Sequence, residues 1–557
     1  MSLSVRERWV YAGVVSLLIL TSLSTLARRP LFNSDEGRYA EIPREMLHGG
    51  DWVIPHLNGL AYIEKPPLQY WATALSFKVL GESAFSARLY GALTAFGTVA
   101  LVWLLAARIR GGEWGWRAAA VLCGMLIFVA LSQLLTLDMS LTFYMTLGLV
   151  GFLLAQHATD GSTSSDAHAA RGWMLLAWTG AALGVLTKGV VAAAIPAAVL
   201  ILYSLLTRDF APWRRLSLQW GLPLFLGLTV PWHWLATLRL PDFLQFFFVH
   251  EHVARYLTPS ADREEPWWFI GAVFLAGSVP WTLPTLRVVA GGWRERGASP
   301  GKFNAAFFLW IWVIFVGVFF SLSDSKLMPY ILPAMPPLAI LIALLPPGTL
   351  KRDFRNTAAV TAIAGAALLY ASFHWPALVA SSDRSAYFLP LEKPVRQIAA
   401  LLMVTGAFVL VQRSRDAARD ATRAGIFLGA GWCLAWLLLV RAAALVAPIY
   451  SGIDLAAAFP AAASDAPLYS VGTYDQTLPF YLRRTVTLVK FRGELDYGLK
   501  HAPNAEIADL DEFISLWTKQ SSAFAVMDIG TFKNLVERGV PMRNLGQNVQ
   551  RVLVARR

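Results

Sequence analysis

Apolar runs of about 20 residues recur along most of this chain, the length an α-helix needs to cross a bilayer. Inside hydrocarbon a backbone must satisfy its own hydrogen bonds, so such runs are read as helices. Spans fall near 9–27, 84–107, 115–134, 139–156, 173–186, 189–206, 217–237, 267–286, 304–321, 327–346, 357–378, 397–412 and 424–447. With 56% hydrophobic and only 15% charged residues, the chain has too little polar surface for a soluble protein of 557 residues. The reading is a polytopic α-helical membrane protein with about thirteen transmembrane helices. The first run, Trp9 to Leu26, follows Arg6 and Arg8 and reads as an uncleaved first helix rather than a signal peptide.

The net charge of +12 could point to nucleic acid, but its placement points to topology. Alternate connections carry the basic residues: Arg108, Arg110 and Arg117; Arg208, Arg214 and Arg215; Arg287, Arg294, Arg296 and Lys302; Lys351, Arg352 and Arg355; Arg413, Arg415, Arg419 and Arg423. By the positive-inside rule these loops and the N-terminus are cytoplasmic. The Arg28–Ser83 loop, the turns around Asp138 and Lys188, the Leu238–Pro266 loop, the Ser323–Lys326 turn, the Ser381–Pro394 loop and everything after Pro448 then lie outside. Arg28 and Arg29 go against the rule and are outvoted. Cys123 and Cys433 both sit inside apolar runs, which argues against a disulfide framework or a thiolate metal site.

Two domains follow: residues 1–447 across the membrane, with a first external loop at 28–83, and a tail at 448–557. In the tail, "APLYSVGTY", "TVTLVKF", "AFAVMDIG" and "VQRVLVAR" read as strands, and "YDQTLPFYLR", "LDEFISLWTK" and "TFKNLVERG" as helices. The alternation predicts a small extracytoplasmic α/β domain.

The first loop is unusually rich in charge. "FNSDEGRYAEIPREMLHGGDW" holds Asp35, Glu36, Arg38, Glu41, Arg44, Glu45 and Asp51 within 21 residues. Ser34 is a candidate N-cap, with Asp35 and Glu36 in the first turn, where the helix dipole favours them. Tyr39, Ile42 and Met46 make an apolar stripe, so a helix in the interface plane with solvated charges would explain most of the run. Pro43 should kink that helix or end its first half. Glu64 and Lys65 come next, stiffened by Pro66 and Pro67.

The stretch "DEGRYAEIPREMLHGGDWVIPHLNGLAYIEKPPLQYW" closely resembles the first periplasmic loop of the aminoarabinose transferases that modify lipid A. It is similar, more distantly, to the protein O-mannosyltransferases and other C-type glycosyltransferases. The resemblance continues in "TLDMSLTFY", "GVLTKG", "HEHVARY" and "SDSKLMPYILPAMPPLAI", and is looser after Pro448. It implies a C-type glycosyltransferase fold in the inner membrane of a Gram-negative cell, with the active site on the periplasmic side. The implied reaction moves 4-amino-4-deoxy-L-arabinose from undecaprenyl phosphate to a phosphate of lipid A, a modification the family links to polymyxin resistance.

That chemistry assigns roles. A polyprenyl phosphate leaving an oxocarbenium-like sugar needs cations or a metal. Lys65 and Arg255 are the first choices, with Lys188, Arg483 and Tyr330 in support. Lys188 reads equally as a helix-end lysine snorkelling to the interface, and Arg483 more simply as a solvated residue of the tail. Asp35 is the candidate catalytic carboxylate: a general base, an orienter of the acceptor, or a partner for positive charge on the sugar. Asp138 is an aspartate at membrane depth, a functional candidate by default that could also cap the following helix. A divalent metal such as zinc, held by Glu64 with His250 or His252, is a further option without a helical zinc motif behind it. The rival reactions are transfer of another sugar or to a protein acceptor. A lipid-linked sugar transporter is disfavoured, because the ionisable residues gather at one face rather than at the midplane.

Overall fold

The computed structural model describes residues 5–159, 164–254, 265–297, 303–382, 384–412, 414–463 and 465–556. The chain forms two compact units: Met1–Thr25 with Tyr90–Arg441, and Leu26–Leu89 with Ala442–Arg557. The first loop is thus grouped with the tail, a division different from a single cut near Pro448.

In the first unit and its flanking helix ends, seven helices among the described residues are long and apolar enough to cross a membrane, or nine if two bent pairs each count as one. The expected straight span at 115–134 is instead α5 (Gly112–Gly124) and α6 (Leu126–Ser132), bent by 72°. Backbone groups exposed by such a break need partners inside a membrane protein. The Trp281 indole N–H donates to Val121 O at 2.7 Å, and the Trp436 indole to Gly124 O at 3.0 Å. Leu126 N donates to Val279 O at 3.1 Å. The expected span at 267–286 is also broken, into Phe269–Gly277 and Thr282–Gly291.

Two antiparallel helices matter most for function, α7 (Leu137–Thr159) and α8 (Ser164–Lys188). Their seam is lined by glycines. A Cβ on Gly180 would lie 2.6 Å from Gly148 N, and one on Gly151 would lie 2.6 Å from Trp173 O. Small residues let transmembrane backbones approach this closely, where dispersion replaces the missing hydrophobic drive. The close seam fixes the register that sets the start of α7 beside the end of α8. Basic residues near other helix ends are paired rather than loose: Arg287 with Asp353 at 2.7 Å, and Arg355 with Asp420 at 3.3 Å.

The second unit joins α2 (Asp35–Gly49), the short β1–β2 hairpin (His56–Leu57, Leu60–Ala61) and α3 (Leu68–Leu80) to the tail. The tail carries a six-stranded sheet of β3 (Leu468–Val471), β4 (Thr487–Val489), β5 (Glu506–Ile507), β6 (Phe524–Asp528), β7 (Met542–Gln547) and β8 (Arg551–Arg556). Its order is β5-β4-β3-β6-β8-β7, with the first four strands parallel and the last two antiparallel. The helices Leu510–Lys519 and Ile529–Glu537 pack Phe513, Trp517 and Leu535 onto it. The α/β expectation holds, and the two strands not foreseen are β5, which is two residues long, and the polar β7.

Loop and tail are tied by hydrogen bonds spanning more than 400 residues of sequence. Asn58, at φ 57°, donates its amide to Val486 O at 2.9 Å and accepts from Val486 N at 2.8 Å. Asn33 donates to the buried Asp475 at 3.0 Å, and Leu31 N donates to the Tyr481 hydroxyl at 2.6 Å. Gly37 has no room for a side chain, because a Cβ there would stand 2.4 Å from the backbone of Gln476.

Candidate active site

Helix α2 is not a solvated surface helix. Glu36, Arg38, Glu41 and Arg44 are all buried. Pro43 does not end it, since α2 runs through to Gly49. Ser34 occupies the N-cap position without a side-chain cap bond. Burial of so much charge requires pairing, and the partners are present. Glu36 takes Arg29 at 2.5 Å and Arg88 at 2.7 Å, and accepts Phe32 N at 2.9 Å. Burial by itself would raise the Glu36 carboxyl, but Arg88 and Arg29 outweigh it and hold it well below the usual carboxylate range. Arg29, which broke the positive-inside pattern, is therefore a buried structural cation.

Asp35 stands apart from this network. It lies in the first turn of α2 with its side chain 49% exposed, and among the described residues it pairs with Arg38, 3.8 Å away. Arg38 is engaged elsewhere, with Glu494 at 2.7 Å and the Tyr62 hydroxyl at 3.1 Å. Glu494, a tail residue, is pushed up by burial and by Glu64 and Asp35, and pulled down by Arg38 and a Gln476 hydrogen bond. Asp35, Arg38, Tyr62, Glu64 and Glu494 thus share one electrostatic neighbourhood within this unit. Lys65 follows Glu64, is partly buried, and donates Nζ to Glu64 O at 2.9 Å. Arg483 caps the Leu478–Leu482 helix, is 69% exposed and lies 3.6 Å from Glu82.

A second cluster lies in the first unit. Asp138, in the first turn of α7, is paired with Lys188 at the last turn of α8. The Lys188 ammonium also sits 5.0 Å from the centre of the Tyr330 ring, a cation–π distance. Asp138, Lys188 and Tyr330 are therefore brought together, and Lys188 is neither loose nor snorkelling. His250 is exposed and stacks on Phe246 with ring centroids 5.1 Å apart. His252 falls in the Gln245–Ala254 helix, and Arg255 lies outside the described residues.

Among the described residues no three His, Cys, Asp or Glu side chains converge as a metal set would. Sequence reasoning missed Arg38, Arg88 and Glu494. The available signal was a helix charged on every face in a chain otherwise poor in charge.

The sequence profile of the dolichyl-phosphate-mannose-protein mannosyltransferases matches residues 30–247, and that of the aminoarabinose transferase C-terminal domain matches 455–556. The undecaprenyl phosphate-alpha-4-amino-4-deoxy-L-arabinose arabinosyl transferase of Pseudomonas aeruginosa (strain UCBPP-PA14) is 30% identical, covering 94% of this chain and 93% of that protein. The chain belongs to the aminoarabinose transferase family. The strain PAO1 member is 31% identical over 91% of this chain and 90% of its own length. The crystal structure of the aminoarabinose transferase ArnT from Cupriavidus metallidurans bound to undecaprenyl phosphate superposes with a TM-score of 0.87, at 31% identity and over 98% of both chains. This member is an integral membrane glycosyltransferase with a C-type helical fold and a C-terminal α/β region. The two profile matches cover Asp35, Lys65, Asp138, Lys188 and Arg483, while Tyr330 lies between them.

One carboxylate in α2 makes this unit pH-sensitive. Glu45 accepts from Asn58 N at 2.6 Å and Gly59 N at 2.9 Å, and shares a hydrogen bond with Glu41. Burial, then Glu41, push it up to about 8, against the pull of the two backbone N–H groups. Between the ordinary 4.5 and about 8 the folded chain keeps a proton that the unfolded chain has released, so stability falls as pH rises through that window. Glu45→Gln mimics the protonated form. The melting temperature of the detergent-solubilised variant should lose most of its slope between pH 5 and pH 8 (roughly the window over which the proton is lost) and exceed that of the unmutated chain at pH 8.

Proposed function

We propose that this protein transfers 4-amino-4-deoxy-L-arabinose from undecaprenyl phosphate to a phosphate of lipid A, at the periplasmic face of the inner membrane. The observation that carries this is the end-to-end likeness to the Cupriavidus structure, at a TM-score of 0.87 over 98% of both chains. In this reading the chain has about thirteen spans, several of them broken, with the first loop and the tail outside.

Both substrates are lipids with polar heads at one leaflet, which suits a site built from external loops and helix ends. Lys65 and Arg255 hold the departing phosphate, and their charge stabilises it as the sugar–oxygen bond breaks. Lys188 is held by Asp138 and backed by Tyr330, so it supplies a fixed positive field rather than a mobile one. Arg483 is a peripheral contact, given its exposure. The acceptor phosphate is already anionic at neutral pH, so it needs no base. The exposed, weakly paired Asp35 carboxylate then serves the positive charge that develops on the sugar.

The test is lipid A mass spectrometry in a Gram-negative strain that lacks its own transferase and makes the arabinose donor. Expression of this chain should add the aminoarabinose adduct. Lipid A left unmodified by well-expressed protein sinks the reaction assigned here, and a different adduct redirects it to another sugar.

A further inference from the structure

A cavity of about 420 Å³ lies within the first unit, walled by the Val5–Leu26 and Ala84–Arg110 helices, α5, α6 and the Ala417–Ala442 helix. Along the first of these helices its lining runs from Tyr11 to Ser22. At 1.5 Å per residue that stretch rises about 16 Å, roughly half of the 30 Å hydrocarbon core. Val15 and Ala100 line the cavity and are also exposed, so its mouth opens at the surface between the first two helices.

Its two ends differ. At one end lie Ser22 and Ser132, whose hydroxyls are engaged by the protein: Ser22 accepts from Gln133 at 2.7 Å, and Ser132 donates to Val129 O at 2.7 Å. At the other, Tyr11 and Trp103 stand 5.6 Å and 6.1 Å from Trp116, ring centre to ring centre. The buried Trp103 indole N–H has no hydrogen-bond partner among the described residues. One helical turn before Tyr11, Glu7 is met by Arg423 at 3.1 Å and by Arg419 at 3.9 Å, two partly exposed cations on one carboxylate. Arg423 is itself one turn from Ile426, which lines the cavity.

Apolar cavities take up apolar guests rather than water. A helix about 10 Å across would need roughly three times this volume over the same length, so the guest is narrower than a peptide helix. One acyl chain matches the length, which is that of a single leaflet. Aromatic rings next to a basic cluster mark the headgroup level, and the excess of arginine there suits an anionic head. We propose that the cavity binds one acyl chain of an anionic phospholipid whose phosphate lies against Arg419 and Arg423. The ester carbonyl at the head of the chain is the acceptor such a lipid brings to the level of Trp103. By loop charge this is a lipid of the cytoplasmic leaflet. It fills the seam behind a helix that is otherwise weakly held, since only 22% of the Trp9–Leu26 span is buried inside the protein.

The full chain, purified in detergent and stripped of lipid, is titrated with phosphatidylglycerol and with phosphatidylcholine of the same acyl chains, each carrying a photoreactive diazirine on one chain. Native mass spectrometry reads the affinity, and mapped cross-links read the site. Phosphatidylglycerol should bind about fivefold tighter or more, the scale of one basic residue facing an anionic lipid. Its cross-links should fall on the lining residues of the first two helices, within 11–22 and 95–103. Arg419→Gln combined with Arg423→Gln should remove the preference and leave the cross-links in place. Ala100→Trp, which blocks the mouth, should weaken both lipids by about tenfold. Equal affinity of the unmutated chain for the two lipids, cross-links confined to other helices, or a preference kept by the double arginine variant overturns the proposal. Displacement of the cross-links by undecaprenyl phosphate gives the cavity to a polyprenyl chain and overturns it as well. Should Ala100→Trp not fold, the cross-link map and the lipid preference of the unmutated chain decide.

Discussion

Glu36→Ala leaves the Arg29 and Arg88 guanidinium groups buried and without a counter-charge, and the folded protein should become too unstable to purify at normal yield. Arg88 is only 1% exposed and already donates to Leu26 O, Arg29 O and Pro30 O, so it cannot swing out to water. Breaking a buried ion pair from one side costs about 3–5 kcal/mol, and here one carboxylate serves two cations. The loss falls on the unit formed by the first loop and the tail, where all three residues lie. Thermal unfolding of the detergent-solubilised variant should show a drop of many degrees, or no cooperative transition. Glu36→Gln, which keeps the shape and loses the charge, should also be strongly destabilised. A melting temperature within a few degrees of the unmutated chain would mean that the network is dispensable.

This network also shows where sequence reading stops. The apolar runs, the loop charges and the strand–helix alternation of the tail are local signals, and they yielded the membrane class and the α/β region. The charges of α2 could not be read locally, because Arg88 is 52 residues from Glu36 and Glu494 lies far beyond Arg38 in the tail. By periodicity alone a solvated helix and a helix buried by distant partners look the same. Asp138 stands out in the sequence by its depth and Lys188 as a helix-end cation, but their pairing across 50 residues depends on the glycine seam of α7 and α8. Breaks within spans were missed for the same reason: the bend at Met125 is sustained by Trp281, Trp436 and Val279, which are distant in sequence.

Asp35 is the complementary case. The buried network of α2 leaves its side chain half exposed. Removing it should spare the fold, since among the described residues its ion pair is a 3.8 Å contact with an arginine that has a closer partner. It should cut the transfer rate by about 10²–10³, the usual cost of removing one preorganised group that stabilises transition-state charge.

The most direct measurement is transfer by the purified protein, from undecaprenyl-phosphate-linked aminoarabinose to lipid A, for the unmutated chain beside Asp35→Asn. The unmutated chain should turn over. Asp35→Asn should keep its melting temperature and bind undecaprenyl phosphate within about threefold, while its transfer rate falls by at least about 10². Turnover by Asp35→Asn at the unmutated rate, or no transfer by the unmutated chain, would contradict the assignment of Asp35 as the catalytic carboxylate of this transferase.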